Sequence, residues 1–175
     1  MSQEHPIRLN EFNNRSFDRG ANRLVELVWM FVRSFFFQMH FPLPSALRRT
    51  LLRCFGAKIG AGVVIRSGVN ITFPWRLEIG DHCWIGEDVL ILNLARVRID
   101  SNCCISQRAF LCTGSHDFSA SSFDLTTAPI FVRSHSWIAA GAFVGPGCEI
   151  PANTMVSAYQ VVTKREFPTV DMRDR

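Results

Sequence analysis

An aliphatic side chain recurs at every sixth residue over more than half of this chain, and this spacing limits the possible folds more than any other feature. Three register shifts interrupt it, with two extra residues before Ile79, two before Ile99 and fifteen before Val132. The fifteen positions are all Ile, Leu or Val: Ile59, Ile65, Ile71, Ile79, Ile85, Ile91, Ile99, Ile105, Leu111, Val132, Ile138, Val144, Ile150, Val156 and Val162.

A period of six fits neither the helical period of 3.6 nor the strand period of two, but it fits a short strand followed by a turn. Three such units make an 18-residue coil, and stacked coils bury a continuous core. Four residues after most of the aliphatic positions a small or aliphatic residue follows, as a narrow interior requires. The spacing therefore predicts an all-β solenoid of about five triangular coils, with each aliphatic side chain stacked over its equivalent one coil away.

The first 58 residues predict a helical cap for one end of this solenoid. Two helix-forming stretches, 21–40 and 44–56, are separated by the sequence FPLP, whose prolines stop the first helix and open the second. Gly56 is a C-cap candidate. The helices either cap the solenoid and pack in a trimer, or present the apolar Trp29–Phe37 surface and flanking arginines to the inner leaflet of a membrane. We divide the chain into an arm and cap (1–58), the solenoid (59–167, with a loop at 112–131) and a tail (168–175).

Composition excludes several classes of protein. Hydrophobic residues make up 47% of the chain and charged residues 19%, as in folded globular proteins. Six cysteines occur without a CxxC pair, so we expect reduced thiols in the cytoplasm and neither a zinc nor a disulfide framework. A polar start predicts no signal peptide, and the apolar stretch 24–37 is short for a membrane span. Glycine-rich phosphate loops and aromatic-interleaved basic patches are missing from the sequence, so we expect no nucleic-acid partner.

The stretch CTGSHDFSASSFDLTTAPI, residues 112–130, places a lone histidine, His116, where the six-residue rhythm stops. An insertion of this size can overhang a groove and hold a base beside it. Imidazole is the side chain best suited to remove a proton near neutral pH. The residues alone leave two interpretations open, a catalytic base and an exposed loop histidine without a chemical role.

The segment WRLEIGDHCWIGEDVLILNLARVRIDSNCCISQRAFLCTGSHDFSASSFDLTTAPIFV resembles the hexapeptide acetyltransferases, and among them the WcaF-like colanic acid biosynthesis group. The resemblance runs from about Leu9 to Lys164. It implies a left-handed parallel β-helix, a handedness that the spacing does not supply, because parallel crossovers are otherwise right-handed. It also implies a homotrimer that transfers acetyl from acetyl-CoA to a sugar hydroxyl of an exopolysaccharide or cell-envelope glycan precursor.

The resemblance also assigns roles to individual residues. His116 matches the catalytic histidine, which acts as a general base without a covalent intermediate and without a metal. Asn93 and Trp137 match positions beside the acceptor, although Asn93 could equally form a turn and Trp137 could be surface packing. Asp117 could orient the imidazole. The positions implied for acetyl-CoA are Ala140, Gly141, Ala158, Thr163 and Lys164, of which Lys164 could equally be a solvated charge.

The sequence departs from the family pattern in two places, and two other functions also remain open. Tyr159 and Gln160 stand where relatives carry a glycine and a small residue, and the chain lacks their AGxPA-type ending. We therefore expect a distorted last coil and weakened contacts to the nucleotide end of CoA. His82, His116 and His135 could instead form a zinc site like that of the gamma-type carbonic anhydrases. A noncatalytic trimeric scaffold is the remaining alternative.

Overall fold

The computed structural model describes residues 6–164, so the predicted tail (168–175) and the last residues of the predicted solenoid (165–167) lie outside the described part of the chain. Short parallel strands on three sides of a prism make up most of the described residues. The strands are β1 Lys58–Ile59, β2 Val64–Ile65, β3 Asn70–Ile71, β4 Leu77–Ile79, β5 Trp84–Ile85, β6 Leu90–Leu92, β7 Val97–Ile99, β8 Cys104–Ile105, β9 Phe110–Cys112, β10 Gly114–His116, β11 Leu125–Thr127, β12 Ile130–Val132, β13 Trp137–Ile138, β14 Phe143–Val144, β15 Glu149–Ile150, β16 Met155–Val156 and β17 Val161–Val162. Sheet A has the order β1-β4-β7-β12-β15, sheet B β16-β13-β8-β5-β2 and sheet C β17-β14-β9-β6-β3.

The repeated aliphatic residues form the core of the prism in the predicted register. All fifteen are buried, and each pairs with its equivalent in the next coil, as Ile79 does with Ile99 and Ile99 with Val132. Three strands make one coil, and five coils stack into the left-handed parallel β-helix. The predicted all-β solenoid is thus confirmed. Stacking the coils buries all the aliphatic rows in one continuous core, and this burial is the main force that favours the fold.

The three edges of the prism, where two sheets meet, differ in regularity. Each turn between sheets A and B, and each turn between sheets B and C, contains one residue with a left-handed backbone, for example Asn102 (φ 60°) and Arg108 (φ 59°). All three register shifts of the sequence fall on the third edge, between sheets C and A. We call this the C–A edge.

Two helices close the N-terminal end, as predicted. Helix α1 spans Arg23–Arg33 and continues as a π-helical turn through Gln38, and helix α2 spans Ser45–Cys54. Gly56, with φ 89°, ends α2, because its N–H donates to Arg53 O and the N–H of Ala57 donates to Leu52 O. The side chains that join the cap to the core are Trp29, Phe37 and Leu52, all fully buried.

The cap also satisfies the backbone of the first coil. Its N–H groups donate to the second coil, as Val64 does to Cys83 O at 2.8 Å, so its carbonyls point toward the cap. Side chains of the two helices bind these carbonyls: Arg53 to Ile59 O (2.7 Å), Arg49 to Val63 O (2.6 Å), Arg48 to Ile65 O (3.4 Å) and Trp29 Nε1 to Ile71 O (3.0 Å). The cap therefore replaces the hydrogen bonds that a further coil would make.

The last coil keeps regular pairing, so the distortion that we expected from Tyr159 and Gln160 is wrong. Strand β16 pairs with β13 and β17 with β14, and both Val156 and Val162 are buried. Tyr159 accommodates the tight turn by adopting φ 58°, a left-handed backbone conformation that glycine adopts most easily.

Candidate active site

An antiparallel hairpin, β10 and β11, projects from the C–A edge after the third coil, with His116 opposite Leu125. Its base is anchored by Thr113, which is fully buried. The Thr113 hydroxyl donates to Leu92 O at 2.9 Å and accepts from the Ala95 N–H at 2.9 Å. Gly114 follows, and a Cβ there would lie 2.9 Å from the Leu94 side chain. The small residue thus lets the hairpin leave the prism close to the coil below.

The His116 imidazole lies on the solvent-exposed side of the hairpin in a defined tautomer. Its Nδ1 is 2.8 Å from the carbonyl oxygen of Phe123. Because a carbonyl can only accept, Nδ1 carries the proton and Nε2 keeps its lone pair in the neutral ring. The Phe123 ring stacks on the imidazole at 4.2 Å between centroids and 5° between planes. The hairpin therefore fixes the ring and leaves one basic nitrogen available.

The N-terminal arm, residues 6–22, runs along the C–A edge and reaches the histidine. The Arg8 N–H donates to Ser121 O at 2.8 Å, and the Phe12 ring is 5.5 Å from the His116 ring. Further along, Trp75 Nε1 donates to Arg19 O at 2.8 Å. Sequence reasoning missed Phe12 and Phe123, because only the hairpin register and the path of the arm bring them to the imidazole.

Asp117 holds the tip of the hairpin. Its Oδ1 accepts from the N–H of Ser119 at 2.8 Å and from the Ser119 hydroxyl at 2.6 Å. These bonds to the ionised form lower the pKa of the Asp117 carboxyl below its usual value. Its own N–H donates to Asp124 O. These contacts favour a turn-forming role for Asp117 over one in orienting the imidazole.

Asn93 is fully buried at the C–A edge, one coil below Thr113. Its Nδ2 donates to Phe73 O at 2.6 Å, and its Oδ1 accepts from the Phe73 N–H at 2.8 Å. The side chain thus closes a ring with the backbone of the coil below. Asn93 therefore links two stacked coils, which is neither a local turn nor an acceptor contact, and its predicted place beside the acceptor stays a prediction.

Trp137 lies on sheet B, half-exposed, and its Nε1 donates to Ser106 Oγ at 2.7 Å. Sheet B is the face of the prism opposite the C–A edge. Within one chain, Trp137 and His116 are therefore on opposite sides of the molecule.

The residues predicted for acetyl-CoA divide between two edges. Ala140, Gly141 and Ala158 lie in stacked turns between sheets B and C, where the Tyr159 N–H donates to Ala140 O at 3.0 Å. The Tyr159 ring covers Gly141, since a Cβ on this glycine would lie 2.5 Å from the ring. Thr163 and Lys164 instead follow β17 at the C–A edge, the edge that carries His116.

The three histidines considered for zinc are separated in one chain. His82 and His135 lie in turns between sheets A and B, whereas His116 lies at the C–A edge. Across residues 6–164, no cluster of three or more His, Cys, Asp or Glu side chains is placed to hold a metal ion. In the same part of the chain, none of the helices combines the length and the apolar character needed to cross a membrane.

The prism, its cap and the projecting hairpin define a protein of the hexapeptide-repeat β-helix class. Two solved structures share this fold. A maltose O-acetyltransferase from Clostridium difficile superimposes with a TM-score of 0.72 at 19% identity, covering 81% of this chain and 79% of that one. A hexapeptide-repeat acetyltransferase from Vibrio cholerae, solved with acetyl coenzyme A, gives 0.72 at 21% identity, covering 82% and 80%.

Sequence comparison narrows the class to one family. The Escherichia coli protein named as the colanic acid biosynthesis acetyltransferase WcaF is 39% identical over 165 residues, which span 90% of this chain and 91% of the relative. This chain belongs to the WcaF family of acetyltransferases. No protein-family model matches the sequence.

Proposed function

We propose that the protein transfers acetyl from acetyl-CoA to a sugar hydroxyl of an exopolysaccharide or cell-envelope glycan precursor. The acceptor class follows the name of the E. coli relative, and the donor follows the acetyl coenzyme A in the V. cholerae structure. The observation that carries the proposal is the His116 imidazole, with Nδ1 bonded to Phe123 O and Nε2 free to act as a base.

His116 acts as a general base and then as a general acid. Its Nε2 removes the proton of the sugar hydroxyl while that oxygen attacks the thioester carbonyl carbon. As the carbon–sulfur bond breaks, Nε2 returns the proton to the departing sulfur, which leaves an acetyl ester and a free thiol. The Nδ1–H bond to the Phe123 carbonyl holds the ring in the orientation that presents Nε2 to the substrate hydroxyl.

The protein acts as a homotrimer in this proposal, because one chain holds only part of the site. His116 projects from the C–A edge, whereas Trp137 and the Ala140–Gly141 turn lie on sheet B and at the B–C edge. A neighbouring copy would bring these groups beside the hairpin. Small side chains at Ala140 and Ala158 would leave backbone amides open to the pantetheine arm, and Thr163 and Lys164 would meet the nucleotide phosphates.

The test is acetyl transfer itself. Purified protein is incubated with labelled acetyl-CoA and a panel of free saccharides, nucleotide sugars and lipid-linked sugars. We expect label in at least one sugar as an alkali-labile ester, together with a thermal shift on adding CoA. A protein that neither transfers label nor shifts with CoA would be the noncatalytic scaffold instead.

A further inference from the structure

The outward side of helix α1 and of the π-helical turn that continues it carries a stripe of large apolar side chains. We call Leu24, Leu27, Val28, Phe31 and Phe35 the outer stripe. Their spacing of three and four residues places them on one face of the helix, and between 44% and 69% of each is exposed. Met39 and Phe41, which follow the helix in the chain, are also exposed. An apolar stripe of this length is rare on a surface that meets only water.

The core of the cap does not need this stripe. Trp29 and Phe37, which bound the apolar surface expected from the sequence to face a membrane, instead face inward and are fully buried, with ring centroids 5.3 Å apart. Helix α1 is therefore apolar on two opposite sides, and only the inner side is covered by the described chain. A helix that is hydrophobic around most of its circumference is stable where a second apolar environment covers it.

The cap that carries the stripe is positively charged. Residues 21–56 contain five arginines and a single acidic residue, Glu26. Glu26 is already paired with Arg19 of the N-terminal arm at 2.7 Å. Arg48, Arg49 and Arg53 bind backbone carbonyls, which carry no net charge, so their positive charges remain. Arg23 lies exposed at the start of α1, beside Leu24.

We propose that the outer stripe docks the protein on an anionic phospholipid membrane, with α1 lying in the plane of the interface. The apolar stripe enters the boundary of the acyl chains while the exposed Arg23 meets lipid phosphates and the other arginines add to the positive potential of the cap. Charge disfavours a second copy as the occupant, because two caps facing each other would bring two positive surfaces together. This inference does not depend on the proposed acetyl transfer.

The experiment is flotation of the full-length protein with lipid vesicles. One set contains phosphatidylcholine alone and the other contains phosphatidylcholine and phosphatidylglycerol in equal parts. We expect binding to the anionic vesicles that is at least about tenfold tighter than to the neutral ones and that weakens with salt. The double variant Phe31→Ser/Phe35→Ser should bind at least about tenfold more weakly.

A matched control is the double variant Trp84→Ser/Met155→Ser, which removes two similarly exposed apolar side chains from sheet B. It should bind vesicles like the unaltered protein. Arg23→Gln removes one positive charge without touching the stripe, and it should reduce binding to anionic vesicles by about fivefold.

Two results would overturn the proposal. One is vesicle binding that is unchanged in Phe31→Ser/Phe35→Ser. The other is an unaltered protein that binds neither kind of vesicle; if its oligomer also dissociates in Phe31→Ser/Phe35→Ser, the stripe is a contact between copies. The variant His116→Ala should keep vesicle binding, whereas the stripe variant should keep acetyl transfer to a water-soluble sugar. Membrane docking and acetyl transfer can therefore fail separately.

Discussion

The edge between sheets A and B and the C–A edge are built from the same coils, yet they differ in almost every local property. At the first edge all five turns are short, and each contains one residue with a left-handed backbone, such as His82 or Asn153. The C–A edge holds every insertion, the buried Asn93 and Thr113, the hairpin with His116 and the N-terminal arm. Stacking requires only that the aliphatic rows stay aligned, so a single edge can vary while the other two keep the register.

The difference shows that, in each coil, the turns that keep the core in register and the turns that carry additional side chains lie at different edges of the prism. Regular turns fix the spacing of the core, because any extra residue there would move an aliphatic side chain out of its row. The turns at the C–A edge return to the same row after two or fifteen extra residues, and so tolerate new groups. Substitutions at the two kinds of edge should therefore affect different measurements.

The largest effect is expected for His116→Ala. Losing the base at the C–A edge should reduce kcat for acetyl transfer by about 100-fold or more, without changing the melting temperature, because the imidazole is exposed. His135→Ala, at the edge between sheets A and B, is the matched control and should retain activity within a few fold. Steady-state kinetics decide the matter, and activity of His116→Ala near that of the control would remove His116 from the mechanism.

A core substitution should affect the opposite measurement. Ile105→Ala removes a fully buried side chain from a central row of sheet B and should lower the free energy of unfolding by about 2–5 kcal/mol. Met155→Ala, in the same sheet but with its side chain exposed, should change it by less than about 0.5 kcal/mol. Urea unfolding of both variants tests this, and equal losses would show that the aliphatic rows do not dominate stability.

Thr113 should affect both measurements, the free energy of unfolding and kcat. Thr113→Val keeps the shape but removes the hydroxyl that bonds Leu92 O and the Ala95 N–H, and it should cost about 1–3 kcal/mol of stability. Because the hydroxyl anchors the hairpin, kcat should also fall. Thr113→Ser retains both hydrogen bonds and should recover most of both losses. If Thr113→Val lowered stability alone, the hairpin would be held by other contacts.

The smallest effect concerns the last coil. Tyr159→Gly relieves a left-handed backbone, which costs a side-chain-bearing residue about 1–2 kcal/mol, but it also adds backbone freedom to the unfolded chain. The free energy of unfolding should therefore change by less than about 1 kcal/mol. Removing the ring from Gly141 should lower the KM for acetyl-CoA by a few fold. An increase in that KM would mean that the ring contributes to donor binding.

The sequence predicts the coil more completely than the site, and particular residues show why. The aliphatic rows were predictable because the six-residue spacing alone determines which side chains point into the prism and which point out of it. Phe12 and Phe123 were not, because their contacts with His116 depend on the path of a polar arm and on the register of a hairpin. Asn93 was placed beside the acceptor by resemblance, but its burial depends on the neighbouring coil.

The arginines and the tryptophan that bind the carbonyls of the first coil close the N-terminal end of the solenoid. A bare terminal coil offers a row of unpaired acceptors onto which another chain could add and begin a fibre. Here that end is sealed by side chains, so whole eighteen-residue turns inserted behind the cap would lengthen the solenoid without exposing these carbonyls. Each inserted turn would extend the molecule by about 4.8 Å. The solenoid can therefore become longer by insertion while its capped end stays closed to the addition of another chain.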